Sequence, residues 1–233
     1  MNLLPRATVL AALALLVSML ATTTASADTL KLDYSPNHSS GFPGGAFRAS
    51  NIVGGPLAGT SFDTFCLETG EFFTPGGTYN YAVNYAAVQG GQGAGGSDPI
   101  SLGTAYLYNS YLESGGSSKT VQQAIWWLED EVTTGDERCL FGSGSACEAL
   151  LTQVASTLGK SIAALKVDCG SQCYGVVALN LTDGSGGRAQ DQLGRVPEAG
   201  ATLLLAMSLA GLAWFARRRN LLGQSSAQVG RLA

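Results

Sequence analysis

Cysteine offers the most chemistry in this chain, and its five copies are unevenly placed. Cys139 with Cys147 and Cys169 with Cys173 form two close couples, whereas Cys66 stands more than seventy residues from its nearest neighbour. An odd count leaves one thiol over; local pairing of the couples is expected, although four cysteines allow three connectivities. No histidine accompanies the four and the CxxC spacing is absent, which argues against zinc. Cys66 is then the free sulfur, either an inert packing residue or a nucleophile. As the nucleophile of an enzyme it needs a neighbouring base, and the single histidine, His38, sits in a Ser/Gly/Pro-rich segment with no evident partner. No Gly-x-Ser-x-Gly elbow or phosphate loop points to other chemistry, so neither enzyme turnover nor a cofactor is expected.

The compartment follows from the two ends. Arg6, the apolar run Ala7 to Ala21 and the small-residue site Ala25-Ser26-Ala27 read as a signal peptide over residues 1–27. Disulfides are expected in the oxidising space beyond the membrane. At the other end Val196-Pro197-Glu198 precedes an uncharged run, Ala199 to Ala216, and then Arg217, Arg218 and Arg219. At about 1.5 Å per residue that run spans a thin hydrocarbon core as one transmembrane helix. Trp214 falls at the interface and the arginines stay cytoplasmic. Signature, helix and arginine cluster together resemble the PEP-CTERM sorting signal. The resemblance implies export by a Gram-negative bacterium, an exosortase-type processing partner, and an inner-membrane-anchored precursor delivered to the cell surface or extracellular matrix. Residues 195–219 form this segment, 220–233 a short cytoplasmic tail, and 28–194 the ectodomain. The ectodomain carries 16 acidic and 7 basic residues, a net −9 hidden within the whole-chain −4 because both ends are basic. Such a surface argues against binding nucleic acid.

Cys66 needs a scaffold, and the ectodomain pattern supplies one. Thr29–Tyr34 and Phe47–Ile52 read as strands, Thr60–Glu68 as a strand carrying Cys66, and Thr78–Val88 as a strand with tyrosines at period two. Asp98-Pro99 looks like the start of a helix to Leu112. Ser118–Val132 carries the stripe Val121, Ala124, Ile125, Leu128 and Val132, with Thr120 and Gln123 as its capping box and Glu129, Asp130 and Glu131 as a solvated end. Ser145 and Glu148 cap another helix that stops at Gly159. Tyr174–Leu181 and Ala189–Val196 read as strands joined by the Asp183–Gly187 turn. The expected fold is α+β: a mainly antiparallel sandwich or barrel-like core with a helical insert.

Three segments then stand out: Phe65-Cys66-Leu67-Glu68, Val121-Gln122-Gln123-Ala124-Ile125-Trp126 and Ala189-Gln190-Asp191-Gln192-Leu193. In this order they resemble the thioester domains of bacterial surface adhesins over nearly the whole ectodomain. The resemblance implies an internal thioester between Cys66 and a glutamine side chain, and covalent attachment to an amine-bearing surface or matrix target. Carried over by motif, Gln190 is the acyl partner, with Gln192 and Gln122 as alternates. Glu68, Gln122 and Trp126 neighbour the bond. The competing expectation is a chemically inert surface or biofilm-matrix protein with the same sorting signals.

Overall fold

The computed structural model describes residues 27–41, 45–88, 96–142, 144–170 and 173–197. The leader expected at 1–27 except Ala27, the membrane helix expected at 199–216, Glu198, Arg217, Arg218, Arg219 and the tail lie outside the described residues. No helix among the described residues is long and apolar enough to cross a membrane.

The fold is α+β. Six antiparallel strands form one sheet in the order β3-β2-β1-β4-β7-β8. Strand β1 (Thr29–Ser39) turns Leu30 and Leu32 into the core and sends Lys31 and Asp33 outward, where they pair at 3.1 Å. It runs five residues past the expected end, because a register shift after Tyr34 lets Ser39 still pair with Gly45 of β2 (Gly45–Val53). Strand β3 (Phe62–Thr64) pairs with β2, and β4 (Gly77–Asn84) with β1. Strands β7 (Val176–Thr182) and β8 (Arg188–Arg195) form the closing hairpin. Its turn is held by Asp183, whose carboxylate accepts from Ser185 N and Gly187 N at 2.8 Å each.

The sheet curls until its edges meet. Just beyond β3, Leu67 N donates to Asp191 O and Leu193 N to Phe65 O, each at 3.0 Å. The result is a half-barrel with a short seam, which leaves less open edge for unwanted pairing. Instead of the second large sheet of a sandwich, helices pack against it.

Helix α1 (Leu102–Ser114) is capped by Ser101, α2 (Ser118–Leu128) by Ser117, and α3 (Ala146–Leu158) by Ser145 with Gly159 in the left-handed C-cap. Two sequence expectations fail here. Asp98 and Pro99 do not start a helix; they belong to β6 (Ser97–Pro99), which pairs with β5 (Ala86–Val88) in a small ribbon. Ser117 displaces the expected Thr120 cap because its hydroxyl accepts from Thr120 N, putting Thr120 inside the first turn. Helix α2 is the central one, packed against β1, β2, α1 and α3. It is accordingly buried almost all round, Gln122, Trp126 and Trp127 included, rather than along one stripe. Two glycines permit the close approaches. A Cβ on Gly45 would sit 2.4 Å from Ser118 O, and one on Gly103 2.6 Å from Leu128 Cδ2.

The acidic run after α2 is also unlike the expected solvated end. Glu129 and Glu131 are buried and only Asp130 is exposed. Glu129 Oε1 accepts from Ser101 Oγ at 2.8 Å and Ser101 N at 3.2 Å. Glu131 Oε2 takes both Thr69 N and Thr69 Oγ1 at 2.8 Å, tying the end of α2 to the segment that follows Cys66. The backbone leaves the helix at Glu129, and the chain reverses with Asp130 at φ 58°.

Candidate functional site

The cysteines divide as their spacing suggests. Cys139 is bonded to Cys147 and Cys169 to Cys173, with Cα separations of 5.3 and 5.5 Å. Cys66 is free and buried.

Cys66 lies on the seam, directly opposite Gln192 of β8. The flanking residues, not these two, exchange the backbone hydrogen bonds, so Cys66 and Gln192 form a non-hydrogen-bonded pair. That geometry brings opposed side chains closest, with Cα atoms about 4.5 Å apart. Gln192 Nε2 points at Cys66 Sγ at 3.3 Å and also donates to Gln190 O at 3.2 Å. The second bond fixes which end of the carboxamide faces the sulfur, because a backbone carbonyl requires a donor. Thr64, two residues before Cys66 on the same face, holds β8 in place: its hydroxyl donates to Leu193 O at 2.6 Å and lies 3.5 Å from Gln192 Oε1. Tyr108 of α1 braces the seam from behind, donating to Asp63 O at 2.8 Å.

The backbone polar groups of Cys66 point away from β8, where a further strand would lie in an ordinary sheet. Gln122 of α2 takes that strand's role. Its Oε1 accepts from Cys66 N at 2.9 Å and its Nε2 donates to Cys66 O at 2.7 Å. Gln122 is fully buried, and both ends of its carboxamide are spent on the backbone of one residue. Trp126, one turn later on the same face of α2, is buried beneath the Arg138 guanidinium, which lies 6.0 Å from its ring.

The sequence reading put Gln190 first as partner of the sulfur. The structure places Gln190 one register step away, its Nε2 donating to Glu68 O at 2.5 Å. The carboxamide against the sulfur is that of Gln192, and Gln122 meets the backbone of Cys66 rather than its thiol. Of the sorting residues, Val196 and Pro197 follow β8, and Val196 N donates to Gly175 O at 2.9 Å.

Electrostatics hold the protons on the Cys66 thiol and on Glu68. Burial pushes the Cys66 thiol up to about 12, the bond from Gln192 opposing and the Glu68 charge adding to the shift. Glu68 is 1% exposed, and neither carboxyl oxygen accepts a hydrogen bond from the protein. Burial first, then the Glu71 carboxyl and the charges of Asp191 and Glu131, raise it to about 9, so it is a neutral acid at pH 7. Asp191 is raised by burial to about 6 although Val88 N, Asn180 Nδ2 and Leu181 N all bond its carboxylate. Sequence reading missed Thr64 and Glu71. Thr64 carries a signal, since it shares a strand face with Cys66 at period two; Glu71 carries none.

A thiol and a carboxamide are thus brought together out of water, the two groups that acyl transfer from nitrogen to sulfur would require. Comparison with protein-family models, with curated proteins and with solved structures gives no match.

Proposed function

We propose that this is an exported surface protein that attaches itself covalently, through an internal thioester between Cys66 and Gln192. The observation that carries the reading is the opposed pair across the seam, with the amide nitrogen 3.3 Å from the sulfur. In forming the bond, Sγ attacks Cδ of Gln192, the C–S bond forms and the C–N bond breaks. The thiol proton leaves with the nitrogen as ammonia. The burial of Cys66, Gln192 and Gln122 supports survival of the product against hydrolysis. A target amine then attacks the same carbon, a C–N bond forms as an amide to the target, the C–S bond breaks, and the proton shed by the amine returns Cys66 to a thiol. This is a one-use bond, not turnover, so the protein is an adhesin or matrix-attachment protein rather than an enzyme.

The location belongs to the same proposal. The leader is removed on export, and the PEP-CTERM-like segment of Val196, Pro197, Glu198 and Arg217–Arg219 is processed at the membrane by an exosortase. The ectodomain is delivered to the cell surface or matrix of a Gram-negative bacterium, with which the two disulfides are compatible.

Intact mass of the purified mature protein, before and after methylamine, tests the reading. The expected native mass is short by one ammonia beyond the hydrogens lost to the disulfides. It rises by one methylamine on treatment, the adduct mapping to Gln192, and Cys66→Ala abolishes both changes. A full mass with Cys66 alkylating as a free thiol sinks the thioester and leaves a chemically inert surface protein.

A further inference from the structure

A polar cavity that the thioester chemistry does not use is lined from β2, β3, the end of α1 and the end of β8. Its volume, about 520 Å³, is that of a small-molecule site. Two arginines line it, Arg48 from β2 and Arg195 from β8, in a molecule whose ectodomain is otherwise poor in positive charge. Each guanidinium is held by one part and free at another. Arg48 Nε donates to Ser61 Oγ at 2.9 Å and its Nη1 to Asp63 Oδ1 at 3.1 Å. Arg195 Nη1 donates to Asn109 Oδ1 at 2.6 Å and to Glu113 Oε1 at 3.3 Å. Among the described residues nothing pairs with Nη2 of either arginine. Such tethers fix the planar forks before a ligand arrives, so less freedom is lost on binding. The carboxylate in the lining, Asp63, is buried and already engaged: besides Arg48, Asn37 Nδ2 donates to its Oδ2 at 3.0 Å and the Tyr111 hydroxyl lies at 3.5 Å.

We propose that this cavity reversibly binds a sugar that carries a carboxylate, a hexuronate unit, with its acid group taken by Arg48 and Arg195. The proposal does not depend on the thioester. A guanidinium fork matches a carboxylate in two parallel charge-assisted hydrogen bonds, and two forks line one space here. The rest of the lining suits a hydroxyl-bearing ring. Asn37 keeps its Oδ1 as an acceptor, and Thr60 Oγ1, which donates to Leu57 O at 2.6 Å, can still accept. The half-buried ring of Phe62 offers an apolar face for the carbon side of a sugar. A small inorganic anion would leave these groups and most of the volume unused. A peptide acid fits less well, because peptides are commonly taken up by pairing with an open strand edge. Strand β2 is paired on both sides, by β1 and β3, and the outer edges of β3 and β8 meet at the seam.

The test is amide chemical-shift titration of the full mature protein at neutral pH with the methyl glycosides of glucuronate and galacturonate, the matching neutral glucoside and galactoside, and acetate. At least one uronide is expected to bind and to shift the amides of Ser61, Phe62, Asp63 and Gly115, which border the cavity. Its neutral counterpart and acetate are each expected to bind about 10-fold or more weakly, the first lacking the charge and the second the ring. Arg195→Gln and Arg48→Gln should each weaken the uronide by about 10-fold or more. Arg48 also ties β2 to β3 through Asp63, so if Arg48→Gln does not fold, Arg195→Gln decides alone. Four results overturn the proposal: neither uronide shifts these amides, a neutral glycoside binds as well as its uronide, acetate binds as tightly as the uronide, or Arg195→Gln binds like wild type. None of them bears on the thioester, which stands or falls by the missing ammonia.

Discussion

The chain places its sulfur in two unlike regions. Around the helices, disulfides join residues 8 and 4 positions apart, Cys139 to Cys147 and Cys169 to Cys173, and each holds a loop that has little sheet of its own. At the seam, Cys66 faces a residue 126 positions away, and both edges of the sheet must be in place before the two can meet. A local disulfide can form early and stabilises a segment. A link between Cys66 and Gln192 can form only once the half-barrel has closed, so it reports a finished fold. The surroundings differ in the same sense. The disulfides need only proximity, whereas the seam sets its thiol among buried carboxamides and a hydroxyl.

The sharpest way to break that contrast is to open the seam. By the chain-entropy argument used for disulfides, a link across a loop of this length is worth up to about 5 kcal/mol. Methylamine-treated protein should therefore unfold at clearly lower denaturant than untreated protein, and equal midpoints would mean that no such link was present. Gln122→Ala is next. It leaves Cys66 N and Cys66 O buried without partners, for a loss of about 3 kcal/mol in denaturant unfolding. It should also slow thioester formation, because the segment carrying the sulfur loses its brace. Replacing Cys139 and Cys147 together by serine should cost about 2.5 kcal/mol, while methylamine capture stays unchanged; loss of capture would show that the two regions are coupled.

A further contrast lies in pH dependence. Glu68 is raised from 4.5 to about 9, Glu129 from 4.5 to about 7 and Asp191 from 3.8 to about 6. Each binds its proton more tightly in the folded state. Their contribution to stability is complete below the unfolded carboxylate values and is lost as pH rises through the folded ones. Melting temperature should thus decline between about pH 5 and pH 9, the upper part of the decline belonging to Glu68. Glu68→Gln should flatten that upper part, and an unchanged profile would place the alkaline loss elsewhere.

Much of the scaffold is legible in the residues. Leu30 and Leu32 alternate with Lys31 and Asp33, the Asp183–Gly187 turn joins two strands, and Val121, Ala124, Ile125 and Leu128 lie on a helix. Asp98-Pro99 misleads because Pro is tolerated at the start of a helix and on a strand edge alike. The Glu129–Glu131 run misleads because charge predicts exposure only where no donors wait inside, and Ser101 and Thr69 supply them.

For the site, sequence alone determined that one sulfur is left over and that it is Cys66, since the other four stand in close couples and count and spacing need no coordinates. It also determined the chemical types at hand, a thiol, several carboxamides and a nearby acid. It could not choose the carboxamide. Gln190 and Gln192 differ by two residues on a strand, so they share a face, and alternation cannot separate them. The choice belongs to the register of the seam, which depends on how far the sheet curls before Leu67 and Leu193 find Asp191 and Phe65. Tertiary structure likewise assigned Gln122 to the Cys66 backbone and buried Glu68 without donors, because both outcomes depend on where a helix docks and where two distant edges meet.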